Sequence, residues 1–267
     1  MKFTVLIPTH TNGAVIGAAI DSVLAQTVQD FEIFVVCDGA IEETIKLVNA
    51  YTQRDPRIRA FQFAKGERHG EAWRHLALTE ATGAAVCYLS DDDFWFPDHL
   101  ETMGSMLSNH DFAHTRQTQI SPIFTVSGSP QVMTDPAVRQ YMLNNNFTFC
   151  GLTVVGHRLD FYRSLPEGWT PAPKEIHTDL NMWRKILRAP DVRIAGTMHV
   201  TSIHSTKRPE QSTWTRLCEV SYWQAAFADA HMIEALRTLL PRGQSGMPMA
   251  HVTDYANKLR EGRAASS

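Results

Sequence analysis

The densest run of chemistry-bearing side chains in the sequence is Ser90-Asp91-Asp92-Asp93. Three adjacent carboxylates repel one another strongly in a partly desolvated cleft unless a cation neutralises them. Oxygen-only ligand sets with few protein donors suit Mg²⁺ or Mn²⁺, which retain waters and take further ligands from a substrate phosphate. A metal-bound nucleotide is therefore the natural reading, against the plainer alternative of a solvated acidic turn capping a helix over 94–107. Three other short stretches carry polar groups of matching character: Pro8-Thr9-His10-Thr11, Asp38-Gly39, and 65–69 with Lys65, Arg68 and His69.

Hydrophobic periodicity explains why these four stretches belong together. Residues 3–7 are a short apolar run stopped by Pro8, the pattern of a strand buried on both faces. Over 14–26, Val15, Ile16, Ala19, Ile20, Val23 and Leu24 recur at helical spacing. The unit then repeats: a strand over 31–37, a helix over 41–52, a strand over 57–63, a helix over 70–81 and a strand over 84–89. Strands alternating with helices in this way predict an α/β fold with a Rossmann-like, mostly parallel central sheet flanked by helices. In open parallel sheets ligands bind at the carboxyl ends of the strands, where loops and helix N-termini expose unpaired N–H groups. Each of the four stretches follows one of the predicted strands.

After about residue 110 the pattern weakens. Residues 121–136 read as a connection, 154–162 as a strand and helix start, 179–187 as a helix, and 213–240 as one long helix. Residues 241–267 read as a loosely held tail. The aromatic residues Trp214, Tyr222, Trp223 and Phe227 of the long helix suit packing on the sheet or a homodimer, with docking on a membrane surface as the alternative.

Composition removes several classes. The 267 residues are 43% hydrophobic and 20% charged, an ordinary globular profile. Lys plus Arg number 25 against 28 Asp plus Glu, for a formal charge of −3, so no broad electrostatic footprint for nucleic acid exists. Cys37, Cys87, Cys150 and Cys218 form no CxxC pair, which argues for buried free thiols in a reducing compartment. The first residues have too little charge and apolar length for a secretory signal, and no run approaches the roughly 18 apolar residues of a membrane span. The expectation is a cytoplasmic protein, with peripheral contact at the inner membrane face left open. No GxGxxG follows any predicted strand, which sets aside a plain NAD-binding domain.

The first hundred residues resemble the nucleotide-binding half of inverting, GT-A fold, family 2 glycosyltransferases. The resemblance is carried by FTVLIPTHTN, IDSVLAQTVQDFEIFVVCDGA, DPRIRAFQF and EAWRHLALTEATGAAVCYLSDDDFWFPDHLE, in the family's order and approximate spacing. It implies a GT-A catalytic domain over 1–212, with nucleotide-sugar binding in 1–110 and acceptor binding in 111–212, and a C-terminal helix and tail over 213–267. It implies a nucleoside loop from Pro8, Thr9, His10 and Thr11, with His10 against the base and Asp38 accepting a hydrogen bond from it, typically from uracil. In the DXD motif the first carboxylate of many relatives is Ser90 here. Asp91 is then expected to take the ribose and Asp92 the metal, with Asp93 as second ligand or structural acceptor. Arg68 and Arg74 match basic positions that face the diphosphate or brace the carboxylates.

The resemblance also implies a catalytic base in Glu175-Ile176-His177-Thr178-Asp179-Leu180-Asn181-Met182-Trp183. Asp179 fits that base, with Thr178 replacing the usual Glu; a helix N-terminal acid is the alternative. Residues 201–209 match a segment that follows the last strand, where His204 would complete a metal shell and Lys207 or Arg208 would neutralise the departing phosphate. The implied reaction is a metal-assisted single displacement from a nucleoside diphosphate sugar, favouring UDP, with Mn²⁺ or Mg²⁺ as cofactor. The implied acceptor is a saccharide or glycolipid hydroxyl in bacterial polysaccharide or glycoconjugate synthesis. Two rivals are a catalytically silent nucleotide-sugar-binding subunit and a sugar-1-phosphate nucleotidyltransferase; the latter lacks its usual Gly-rich loop, because PTHTNG follows the first strand.

Overall fold

The computed structural model describes residues 1–208, 210–240 and 245–262. Its first half is the repeated strand–helix unit: β1 (Phe3–Thr9), α1 (Ile16–Leu24), β2 (Phe31–Asp38), α2 (Glu42–Arg54), β3 (Ile58–Phe63), α3 (Glu71–Thr79) and β4 (Ala85–Tyr88). These strands lie in the order β3-β2-β1-β4, all parallel, with Phe3 opposite both Phe31 and Ala85. Side chains alternate between two cores. Val5, Ile7, Ile33 and Val35 meet Ile16, Ile20, Val23 and Val48 on one face. Leu6, Phe34 and Val36 meet Ala77, Leu78 and Trp183 on the other. Burial on both faces is why β1, β2 and β4 are mainly apolar, whereas the edge strand β3 exposes Arg59 and Gln62, and each fully buried apolar side chain contributes about 1.5–3 kcal/mol.

The chain continues through β5 (Asp93–Trp95), α4 (His99–Leu107), β6 (Phe112–Ile120), β7 (Thr125–Ser127), α5 (Pro136–Asn144), β8 (Val155–Arg158), α6 (Leu159–Ser164) and α7 (Thr178–Leu187). Then come β9 (Ile194–Ser205), α8 (Thr213–Ala226), α9 (Ala230–Leu239), β10 (Ser245–Pro248) and α10 (Met249–Arg260). Beyond β4 the sheet becomes mixed. β8 runs antiparallel to β4, and β6 antiparallel to β8. The long strand β9 runs parallel to β6 and antiparallel to β5, which sets His204 opposite Asp93.

Several sequence expectations change here. A helix does not begin at Phe94, because Phe94 and Trp95 are buried and pair with Ile203 and Ser202. The segment 201–205 is the end of β9 rather than a loop after it, and Pro209 lies outside the described residues. The connection over 121–136 contains β7 and ends in Asp135, whose carboxylate accepts from the Ala137 N–H to start α5. The long helix breaks after Ala226, where Asp229 caps α9 through the His231 N–H. Of the expected tail, 241–244 and 263–267 lie outside the described residues. The segment between forms β10 against β7 and α10, whose Val252 and Ala256 are buried with Leu236 and Phe227. Burial divides the aromatic stripe, for Trp223 and Phe227 enter this core while Trp214 and Tyr222 are exposed. Cys37, Cys87 and Cys150 are buried, but Cys218 is exposed. Among the described residues no helix is long and apolar enough to cross a membrane.

Candidate functional site

The carboxyl ends of β1, β2 and β4 open into a cleft of about 690 Å³. One end is lined by Pro8, Thr9, His10 and Thr11 from the β1–α1 loop, with His10 exposed. Asp38, the last residue of β2, forms the floor. Its carboxylate accepts from the Gly66 N–H at 2.6 Å and from Lys65 Nζ at 2.7 Å. Gly70 has a left-handed backbone (φ 71°), and a Cβ there would lie 2.7 Å from the Asp38 Cγ. A side chain is excluded at Gly70 both by conformation and by the nearness of Asp38.

The acidic run is three environments rather than one. The nearly buried Asp91 accepts from Thr9 Oγ1 at 2.7 Å and Asn12 Nδ2 at 3.0 Å, and burial raises its pKa. Asp93 is held by Gln117 Nε2 at 2.8 Å, by the Thr153 hydroxyl, and by His204 Nδ1 at 2.6 Å. Asp92 projects into the cleft with its pKa pushed up to about 6 by burial and then by the Asp93 charge. Burial works against a charged His204 ring, but the adjacent Asp93 outweighs it and raises the pKa. Ligand atoms of Asp92, Asp93 and His204 lie within 4.8 Å of one another. Two carboxylates and an imidazole whose ligand atoms crowd together, with burial and the neighbouring charge raising the pKa of Asp92, fit a divalent cation. Ser90 lines the cleft, and its backbone N–H donates to Thr153 Oγ1 at 3.2 Å.

The opposite end of the same cleft belongs to the first turn of α7. Asp179 points into it, with its pKa raised by burial, although Arg74 and the Leu152 N–H act in the other direction. Arg74 Nη1 is 3.8 Å from Asp179 Oδ1, and its guanidinium lies 4.7 Å from the centre of the Trp169 ring. Thr178 donates to Glu71 Oε1 at 3.1 Å. The fully buried Glu71 also accepts from the His69 N–H at 2.9 Å and the Ala172 N–H at 3.3 Å, tying α3 to the start of α7. Arg68, at a left-handed position, reaches the carbonyls of Lys174 and Ile176 across the cleft mouth.

Thus Pro8, Thr9, His10, Thr11, Asp38, Arg68, Arg74, Ser90, Asp91, Asp92 and Asp179 line one cleft, and Asp93 and His204 stand directly behind Asp92. Lys207 and Arg208 are not in the lining. Lys207 is exposed, and Arg208 Nη2 is 2.7 Å from Glu219 Oε2. Sequence reasoning passed over Glu71, Asn12 and Arg216, and gave Lys65 no role. Glu71 reads locally as an ordinary first-turn acid. Arg216 sits in a helix with no neighbouring signal, yet its Nη2 lies 3.6 Å from Asp92 Oδ2.

Comparison with known proteins adds to this geometry. The sequence profile of glycosyl transferase family 2 matches residues 4–156. An uncharacterized glycosyltransferase of Rickettsia felis is 32% identical over 124 residues, covering 45% of this chain and 20% of that protein. The UDP-Glc:alpha-D-GlcNAc-diphosphoundecaprenol beta-1,3-glucosyltransferase WfgD of Escherichia coli is 29% identical over 104 residues, covering 39% of this chain and 40% of that protein. The matched segments span less than half the length of these curated relatives. S. aureus TarS 1–349 in complex with UDP-GlcNAc superposes with a TM-score of 0.60 at 16% identity, covering 100% of this chain and 74% of that one. Mannosyltransferase PcManGT from Pyrobaculum calidifontis, in complex with GDP-Man and Mn2+, gives 0.56 at 15% identity, covering 100% and 76%. At such identities the likeness concerns the fold.

Proposed function

The chain belongs to glycosyl transferase family 2 and has a GT-A type α/β fold, and from that premise we propose that it is an inverting, nucleotide-sugar-dependent glycosyltransferase. The donor is a nucleoside diphosphate sugar, with UDP favoured, and the acceptor is a saccharide or glycolipid hydroxyl in the synthesis of a bacterial polysaccharide or glycoconjugate. The observation that carries this reading is one cleft that joins Asp38, Asp91 and Asp92 to Asp179. A base and a diphosphate site on one wall-to-wall path are what a displacement at an anomeric carbon requires.

Asp38 accepts a hydrogen bond from the base, and His10 lies against its ring. Asp91, oriented by Thr9 and Asn12, accepts from the ribose. Asp92, Asp93 and His204 hold a divalent cation, Mn²⁺ or Mg²⁺, and that cation offsets charge on the diphosphate when bound. Asp179 takes the proton of the acceptor hydroxyl, whose oxygen bonds to the anomeric carbon as the bond from that carbon to the phosphate oxygen breaks. Burial supports this role, since a raised pKa makes the carboxylate a stronger base. Arg74, packed on Trp169, fixes and partly neutralises Asp179. Lys65 and the Gly66 N–H hold Asp38 in place.

The test is calorimetric titration with UDP, with and without Mn²⁺, on wild type and Asp92→Ala, followed by a donor screen. Metal-dependent binding abolished by the substitution supports the reading. Binding of GDP or dTDP in place of UDP changes the donor. Nucleotide binding with turnover unchanged in Asp179→Asn removes Asp179 as base, and nucleotide binding without transfer to any acceptor favours a silent binding subunit.

A further inference from the structure

Arg216 is the buried cation that the site's chemistry has not used. It lies in the first turn of α8, is 5% exposed, and its Nη1 and Nη2 are shielded from solvent without a hydrogen-bond partner among the described residues. A guanidinium without acceptors is costly to bury, because its desolvation is not offset. Arg237 of α9 shows the satisfied arrangement, with Nη2 at 2.8 Å from both Asp98 oxygens and 2.7 Å from the Val200 carbonyl. The placement of Arg216 is not slack either. Three residues on, Glu219 accepts from Ser205 Oγ, Gln211 Nε2 and Arg208 Nη2 at 2.9, 2.8 and 2.7 Å, which pins α8 to the end of β9. The nearest anionic group is Asp92 Oδ2 at 3.6 Å, on the cleft edge and in the candidate cation-binding trio.

We infer that Arg216 is a diphosphate-binding residue which holds Asp92 in the ligand-free protein and turns its free Nη groups to the donor's diphosphate when a cation takes over that carboxylate. The inference rests on the proposed nucleotide-sugar function and extends it to a residue outside the family-matched segment. It assigns the role expected of Lys207 and Arg208 to the helix behind them. Planar guanidinium forks match phosphate oxygens in pairs, which an ammonium does not reproduce. Because Arg216 and a cation compete for Asp92 but act together on diphosphate, its removal has opposite effects on the two ligands.

The experiment titrates Mn²⁺ alone, followed by electron paramagnetic resonance, and UDP at saturating Mn²⁺, followed by calorimetry. Both are run on wild type, Arg216→Gln and Arg216→Lys, with thermal unfolding as the check of fold. Arg216→Gln is expected to bind Mn²⁺ about fivefold more tightly and UDP about 10- to 100-fold more weakly. Arg216→Lys is expected to bind Mn²⁺ like wild type and UDP with intermediate affinity, and it carries the test alone if the Gln variant does not fold. Unchanged UDP affinity in the variants, or a parallel loss of both ligands, overturns the assignment while leaving the proposed function intact. Absence of UDP, GDP and dTDP binding in the wild type overturns both together.

Discussion

Acidification should destabilise the protein through histidines buried in the neutral form, among them His114 and His157. In each ring Nδ1–H donates to a backbone carbonyl, of Thr115 at 2.9 Å and of Arg158 at 2.9 Å. Each Nε2 then accepts, from the Met133 N–H at 2.9 Å and from the Tyr88 hydroxyl at 2.7 Å. A second ring proton would face a donor in both places. At His157 it would also disturb Tyr88, which accepts from Trp169 Nε1 at 2.9 Å beneath the Arg74 guanidinium. Burial pushes both pKa values down to about 4 from 6.5. The unfolded chain therefore takes up protons below about pH 6.5 while the folded chain does not until about pH 4, so stability is lost as pH falls through that window. Between about pH 7.5 and pH 5 each ring costs about 2 kcal/mol, or about 4 kcal/mol for the pair, a large part of a typical 5–15 kcal/mol. Urea unfolding at both pH values, in cation-free buffer, measures this for wild type and for His114→Gln/His157→Gln. The wild type should lose about 4 kcal/mol more across the step than the double variant, and each single variant should remove about half of that difference. Equal pH dependence of wild type and double variant would refute the reasoning, because the acidic cluster and its His204 are common to both proteins.

Other outcomes follow from the cleft. Gly70→Ala, forced to a left-handed backbone with its Cβ against Asp38, should cost about 1–2 kcal/mol in urea unfolding and weaken UDP binding in calorimetry. Asp179→Asn should lower kcat by about 10²- to 10⁴-fold while UDP affinity stays within about twofold, measured by product formation and by titration. Wild-type kcat should fall as pH drops through a pKa above the ordinary aspartate range, reflecting the partly buried Asp179 carboxylate. Glu71→Ala leaves the His69 and Ala172 N–H groups and the Thr178 hydroxyl without their acceptor, and should cost about 2–4 kcal/mol in the same unfolding assay.

The sequence by itself determined the parallel half of the sheet and most of the cleft. Strands buried on both faces must be mainly apolar, an edge strand such as β3 alternates, and helices between them must carry a 3.6-residue stripe, so β1 to β4 and α1 to α3 are legible from 3–89. Polar residues that end such strands fall together at one sheet edge by topology alone, which is why Asp38, Asp91 and Asp92 share a cleft with the loop at Pro8. What the tertiary structure decided is the division of labour among these groups. Asp91, Asp92 and Asp93 are neighbours of one type in sequence, yet Thr9 and Asn12 hold the first, the second faces the cleft, and His204 holds the third. That difference depends on β9 pairing with β5 across more than a hundred residues, and ladder partners so distant leave no local periodicity to read. Glu71 and Arg216 are equally silent in sequence: a charge at helical spacing looks solvated until another element covers it, and only packing shows whether the cover brings a partner.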